Sequence, residues 1–389
     1  MSGKADWTRA AFGDVVRHVK DRVDPEESGL ERYVAGEHMD TDDLRIRRWG
    51  TIGDGYLGPA FHMRFKPGQV LYGSRRTYLR KVAVADFEGI TANTTFVLES
   101  KDPGVLLPEL LPFLMQTEGF HEHAIKQSKG SVNPYINFSD LTWFEFPLPP
   151  IDEQRRIASA LKALESSDEA YRRLGSAAER VMEALIAQEL SACQSKAPST
   201  QLQEHAHVQY GLTLGPSRRG SAETIPYLRV ANVQRGRLDL SEVKRVGRLP
   251  GDDAYRLRSG DLLVVEGHAN VDEIGRAVVW KSNDNDMFHQ NHLIRIRCSD
   301  TLDSEYLALA INSGPGRGYF RAQAKNTSGL NTINSTVVKQ FPLSVPPIAV
   351  QRAIVGTAIS AASGIDGARS RRTGVHALKR SLLERVDRA

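Results

Sequence analysis

A Pro-Pro step that opens a very long, uninterrupted helical stretch occurs twice in this chain, and few folds can accommodate that. Pro149-Pro150-Ile151 is followed by Gln154-Arg155, and Pro346-Pro347-Ile348 by Gln351-Arg352 with the same internal spacing. Asp152 and Glu153 fall in the first turn of the first stretch, where negative charge suits the helix dipole. Apolar residues then recur at three-and-four spacing: Ile157, Leu161, Leu164, Tyr171, Leu174, Ala178, Val181 and Leu185. The second stretch repeats this with Ile354, Ala358, Ala361, Ile365, Ala368, Val375, Leu382 and Val386. Roughly 40 helical residues make a rod of about 60 Å, much longer than an ordinary globular helix. Asn137 precedes Pro149 by the same number of residues as Asn334 precedes Pro346. A register held this far marks a tandem duplication.

The segments between the helices fit that plan. Residues 1–148 contain short strand-like runs at Ala60–Phe65, Gln69–Tyr72, Lys81–Ala85 and Thr94–Leu98. A helix cut by prolines and a polar Gly/Ser loop follow them, and a curved, largely antiparallel sheet is expected. Residues 196–345 offer counterparts. The stretch from Phe65 to Leu71 matches that from Leu257 to Leu263. Thr91–Phe96 matches His289–Ile294, and Lys129-Gly130-Ser131 matches Thr327-Ser328-Gly329. With helices over 149–195 and 346–389, the order is globular unit, long helix, globular unit, long helix. Two helices with one apolar seam each pair most economically with one another, antiparallel, as a pseudo-twofold coiled coil. A short polar linker is expected around 191–201.

Composition adds mainly exclusions. There are 51 Lys+Arg against 47 Asp+Glu, a formal charge of +4, so only the placement of charge can inform. Cys193 and Cys298 have no metal or disulfide spacing. No apolar run reads as a membrane span and the N-terminal residues are charged, so a soluble, cytoplasmic protein is expected. Gly53-Asp54-Gly55-Tyr56-Leu57-Gly58 fits a nucleotide-loop spelling, but Pro59 and an alternating strand follow where a helix would be needed. It reads as a turn. Asn133-Pro134-Tyr135 reads as a turn into a strand, without the second proline and cofactor loop of amino-methyltransferases. His121 with His123, and His289 with His292, lack a third ligand nearby and read as surface or core histidines. No catalytic constellation emerges, and a non-catalytic chain is expected.

Basic residues do cluster on Gly-flanked loops: Arg75, Arg76, Tyr78, Arg80 with Lys81, Lys129 beside Ser131, Arg218-Arg219, and Lys325-Asn326 before Ser328. Arg, Lys, Asn, Ser and Tyr are the side chains that contact phosphates and read base edges. Any one of them alone reads as solvated surface; the clusters are candidate nucleic-acid contacts.

Over essentially its whole length the chain resembles the specificity subunits of type I restriction-modification systems. The resemblance rests on residues 149–157 and their repeat at 346–354, with Gly73–Ile90 and Tyr227–Gly236. Val265–Asn270, Gln290–Arg295 and Ser328–Asn334 complete it. It implies an α+β chain of two α/β target recognition domains separated by two long antiparallel coiled-coil helices. Each domain would read half of a bipartite sequence in double-stranded DNA. The helices would set the gap and dock two adenine-N6 methyltransferase subunits, with Gln154, Arg155, Gln351 and Arg352 as contacts. Restriction subunits would complete the complex. S-adenosylmethionine would belong to the methyltransferase, and ATP and Mg to the restriction partner, leaving this chain without a cofactor, a metal or an active site. His268 and Asn270 join the clusters above as candidate base readers. Ala349-Val350 replaces the acidic pair in the second helix, and Gly356, Gly364, Gly367 and Gly374 weaken its helicity. Two other readings explain part of the pattern: another methylation-based phage defence complex lacking a translocating nuclease, and a coiled-coil scaffold.

Overall fold

The structure, a computed structural model, describes residues 7–196, 198–283, 286–327 and 329–387. The chain divides into two compact units, Met1–Arg172 with Ser370–Ala389, and Arg173–Arg369. The long helices span Ile151–Lys196 and Ile348–Asp387, so each contributes to both units.

Each unit is built around a four-stranded antiparallel sheet. In the first, the strands lie in the order Val16–Val19, Thr95–Ser100, Val70–Gly73, Val82–Val84. In the second, the order is Ala206–Tyr210, Leu293–Cys298, Leu262–Val265, Ala277–Val279. The two central strands are buried in both units, because one face meets helices and the other a second sheet. Those second sheets contain a parallel pair, Arg32–Val34 with Gly89–Ala92 and Thr224–Leu228 with Phe288–His289. The curved, largely antiparallel sheet expected from sequence is therefore two main sheets per unit, one of them mixed, with further small two- and three-stranded sheets beside them. Alternation marks strands but does not say which become neighbours.

The matched segments Phe65–Leu71 and Leu257–Leu263 correspond down to their hydrogen bonds. Gly68 and Gly260 both take positive φ, +89° and +92°. The Lys66 amide donates to Gln69 Oε1 at 2.8 Å, and the Arg258 amide to Asp261 Oδ2 at 2.8 Å. The charges around this turn are exchanged: Gln69 donates to Glu99, which pairs with Arg17, whereas Asp261 pairs with Arg297.

Each long helix starts at a buried glutamine clamp. Gln154 is 1% exposed; its Nε2 donates to the carbonyls of Val105 and Pro149, and its Oε1 accepts from the Leu107 amide. Gln351 is 0% exposed and does the same with Thr301, Pro346 and Asp303. A full set of partners makes a buried amide side chain tolerable. This corrects one expectation: Gln154 and Gln351 bind their own units and are not open to a partner. Arg155 and Arg352 remain exposed on the surface.

The second apolar stripe is covered as expected, with Ile354, Ala358, Ile365, Ala368 and Val386 buried. The first is covered only in part. Ile157 and Leu161 are buried, but Leu174, Val181 and Leu185 are exposed, while Met182, Ile186 and Leu190 turn inward. Periodicity defines an apolar arc on the helix, and a neighbour covers only part of that arc. The helix also buries Glu169, which accepts from Arg47 and Arg172. In the first unit the helices are joined by Asp168 with Arg372 and His376, and by Glu165 with Lys379. In the second, Glu179 meets Arg369.

Two further expectations change and one holds. The stretch around 191–201 is mostly not a linker: the helix runs to Lys196, and Ser199–Gln201 is a strand paired with Pro342–Ser344. The second long helix does contain an 18-residue window with mean hydropathy 1.4. Ile354 in that helix belongs to the core of the second unit, and 22% of the window is buried. The Gly53–Gly58 segment is the loop between strands Gly50–Thr51 and Phe61–Phe65, as read.

Replacing Gln351 by Ala removes the partner of three backbone groups, one in a buried bond and two in part-buried ones, and is expected to cost about 2–3 kcal/mol, read as a lower urea midpoint. The exposed Arg352→Ala should leave that midpoint within about 0.5 kcal/mol of unchanged.

Candidate nucleic-acid interface

In both units the third strand of the central sheet order continues past the sheet and pairs with a hairpin. In the first, the chain leaves Val70–Gly73 and Arg75 bridges to Tyr135, which bridges to Lys129. The Arg76 amide donates to the Pro134 carbonyl at 2.6 Å, and the Ile136 amide to Ser74 at 3.0 Å. In the second, Gly267–His268 pairs with Leu330–Thr332, and that strand pairs with Lys325–Thr327. The Ile333 amide donates to Glu266 at 2.9 Å. By this bonding Arg76 and His268 hold equivalent places, as do Lys129 and Lys325, and Pro134 and Asn331.

The side chains on these frames differ. Arg75, Arg76, Tyr78, Ser131 and Tyr135 are exposed in the first unit. The Arg75 guanidinium lies 5.8 Å from the centre of the Tyr135 ring, a cation–π contact that holds its plane. In the second unit, Asn270, Lys325 and Asn326 are exposed and His268 is half-buried. His268 Nδ1 accepts from the Asn270 amide at 3.0 Å, leaving Nε2 for other contacts. Asn331 donates to the Ala269 carbonyl at 2.8 Å and accepts from Asn326 at 3.1 Å.

The Arg76 turn is strained. Arg76 and Arg80 have φ of 50° and 49°, and only one other non-glycine residue among those described, Asp42, shares that region. For a long side chain this costs roughly 1–2 kcal/mol. Between them Thr77–Leu79 form one turn of 3-10 helix, closed by Leu79 N to Arg76 O and Arg80 N to Thr77 O. Buried Thr77 is pinned by its hydroxyl to Ser128 at 2.7 Å. Such strain persists where surrounding bonds over-determine it, and it concentrates at functional sites.

Several candidates are engaged by partners within the fold. Arg218 is 7% exposed; it makes paired bonds to Asp252 at 2.7 and 2.9 Å and donates to the carbonyls of Thr213 and Gly247. It fastens a loop to the second sheet. Arg219 follows on the same turn, exposed. Both guanidinium nitrogens of Arg80 are taken by Glu118 at 2.6 and 2.5 Å, which holds the Glu118 carboxyl below its usual range. Lys129 is exposed but paired with Asp140 at 2.9 Å, whose carboxyl it depresses. Ser328 lies outside the described residues. Sequence reasoning missed Tyr135 and Asn331, the middle rung of each frame. Asn133–Tyr135 is no simple turn into a strand, since Tyr135 is itself bridged on both sides. The loop lysine stands eight residues before the capping asparagine in one unit, Lys129 to Asn137, and nine in the other, Lys325 to Asn334, so a fixed spacing did not mark these rungs.

The histidine pairs separate. His121 is fully buried, whereas His123 Nε2 lies 2.8 Å from the Asp140 carbonyl. His289 is buried against the Tyr255 carbonyl, and His292 meets Glu266 at the surface.

The chain resembles known proteins in sequence and in fold. Residues 45–174 match the model for the type I restriction modification DNA specificity domain. The chain is similar to the specificity subunits of type I restriction-modification systems. It is 34% identical over 105 residues to the StySPI specificity subunit of Salmonella potsdam, covering 27% of this chain and 23% of that one. It is 26% identical over 159 residues to the EcoDI specificity subunit of Escherichia coli, covering 41% and 35%. The aligned stretches thus span between a quarter and a third of those relatives. The fold is also that of solved specificity subunits. The Mycoplasma genitalium S subunit (M. genitalium) superposes with a TM-score of 0.58 at 14% identity over 98% of this chain and 96% of that one. A chain from a structure concerning assembly and conformational transition of the type I R-M system gives 0.62 at 19% identity over 98% and 97%.

Burial beneath the Arg76 turn makes the first unit sensitive to acid. His121 is held neutral, its pKa pushed down to about 4 by burial and then by the nearby Arg80 charge. As pH falls below about 6.5 the unfolded chain takes up the proton first, so this contribution to stability fades between about 6.5 and 4. From pH 7 to 5 the loss is about 2 kcal/mol, and His121→Phe should remove that part of the pH slope in urea titrations.

Proposed function

We propose that this chain is a specificity subunit that reads a bipartite target in double-stranded DNA, one half with each globular unit. The observation that carries the reading is the pair of hairpin frames. Their backbone bonds are equivalent, while the groups they present are Arg and Tyr in one and His, Asn and Lys in the other. Two copies of one frame with different donors suit two different half-sequences. Arg addresses guanine O6 and N7, and amide side chains address adenine. Surrounding basic residues hold phosphates, giving affinity that falls with salt.

In this reading the long helices pair antiparallel as a coiled-coil spacer in a pseudo-twofold molecule. Opposed numbering of the ion pairs, Asp168 with Arg372 and Glu165 with Lys379, supports that pairing. The spacer fixes the gap between the half-sites and docks two adenine-N6 methyltransferase subunits, with exposed Arg155 and Arg352 near the helix starts as contacts. The methyltransferase supplies S-adenosylmethionine and the chemistry of methyl transfer. Restriction subunits with ATP and Mg join to cut unmodified DNA. The assembly works in the cytoplasm, and this chain selects the site without catalysing a step.

Sequencing of methylated adenine in cells with and without the gene tests this. Deletion should erase methylation at one split motif, with marks in both halves on opposite strands; an unchanged methylation pattern would refute it. Arg76→Ala should relax base preference at a position in one half only, by about 1–3 kcal/mol, measured from the methylation ratio of cognate to single-base-variant sites. Equal loss in both halves would assign Arg76 to phosphate contact or folding instead.

A further inference from the structure

The strained Arg76 turn stands on a platform that reaches the second long helix. The helix Glu118–Lys126 holds both ends of the turn. From its N-terminal end, Glu118 takes both guanidinium nitrogens of Arg80. Just past its C-terminal end, Ser128 bonds Thr77 and donates to the Ala124 carbonyl. This short helix is itself fastened by Asp387, whose Oδ2 accepts from the Gly119 amide at 3.0 Å. The carboxylate lies so close that a Cβ on Gly119 would meet Asp387 Oδ1 at 2.4 Å. An acidic side chain on a free amide at a helix N-terminus is a favourable contact. Here it comes from the last turn of a different helix, far away in sequence. Asp42 closes the arrangement: its amide donates to the Arg80 carbonyl at 3.3 Å, and Gln116 donates to the Asp42 carbonyl at 3.1 Å.

We infer that Arg80, Glu118 and Asp387 are positioning residues that hold the Arg76 turn in its reading conformation. The end of the second long helix thereby becomes part of the apparatus with which the first unit selects bases. This rests on the DNA-reading function proposed above. None of the three needs to touch DNA. Arg80 is tied up by Glu118, and Asp387 repels a phosphate. They act by keeping two arginine backbones in a conformation that each would otherwise leave. Spacer and reading turn are thus one mechanical element in the first unit.

The test is methylated-adenine sequencing of cells carrying the full system with Arg80→Ala, Asp387→Ala or both. Each single variant should narrow the ratio of cognate to single-base-variant methylation about fivefold in one half-site, roughly the value of one net hydrogen bond. Discrimination in the other half should be unchanged. The double variant should do little more than Arg80→Ala, since both act on one turn. Glu118→Gln, which keeps shape and one bond, should give a smaller loss in the same half and guards against misfolding of the alanine variants. If methylation falls at all sites with discrimination intact in both halves, the residues are merely structural and the inference is overturned. Unchanged discrimination in Arg80→Ala and Asp387→Ala also overturns it while leaving the functional reading standing. A wild-type system that marks no split motif overturns the functional reading itself.

Discussion

The structure depends on how two long helices are started. An isolated helix of this length has many free backbone groups at its ends and nothing to set its direction. The clamps at Gln154 and Gln351 solve the second problem. Each amide joins the Pro-Pro step to a loop of its own globular unit through three bonds, from inside the core. Proline rigidity keeps the entry extended, and the buried amide then leaves one register for the first turn. Everything further along each helix inherits that direction.

The globular units show the same economy with different means. The Gly68 and Gly260 turns share every backbone bond described for them, yet their charges are exchanged, Glu99 with Arg17 in one and Asp261 with Arg297 in the other. A backbone frame survives such exchange because the turn is held by main-chain groups, while side chains need only supply a compatible partner. The hairpin frames extend the principle to the surface. There the partner is absent from the fold, and side chains are free to differ.

Legibility followed the range of the interactions. The repeated Pro-Pro step, the two long helices and the Gly-flanked basic clusters are local or periodic features, and all were readable. The chemistry assigned to particular residues was readable only where exposure could be guessed. Arg75 and Arg76 face outward, but Arg218 is consumed by Asp252, Arg80 by Glu118 and Gln154 by the loop at Val105–Leu107. In each case the partner is tens of residues away. Tyr135 and Asn331 were overlooked for the converse reason. Their place is defined by strands on both sides, and neither strand is long enough to announce itself.

The residues alone determined that the chain is an α+β protein with two very long helices, because proline steps and apolar periodicity are written in neighbouring positions. Only the tertiary structure decided which arc of the first helix is covered, where Leu174 and Val181 face out and Met182 and Ile186 face in. It alone decided which cations are already neutralised within the fold. It alone brought Asp387 to Gly119, beneath the turn that carries Arg76. These outcomes depend on contacts between distant segments, whose energies appear only once the chain has closed on itself.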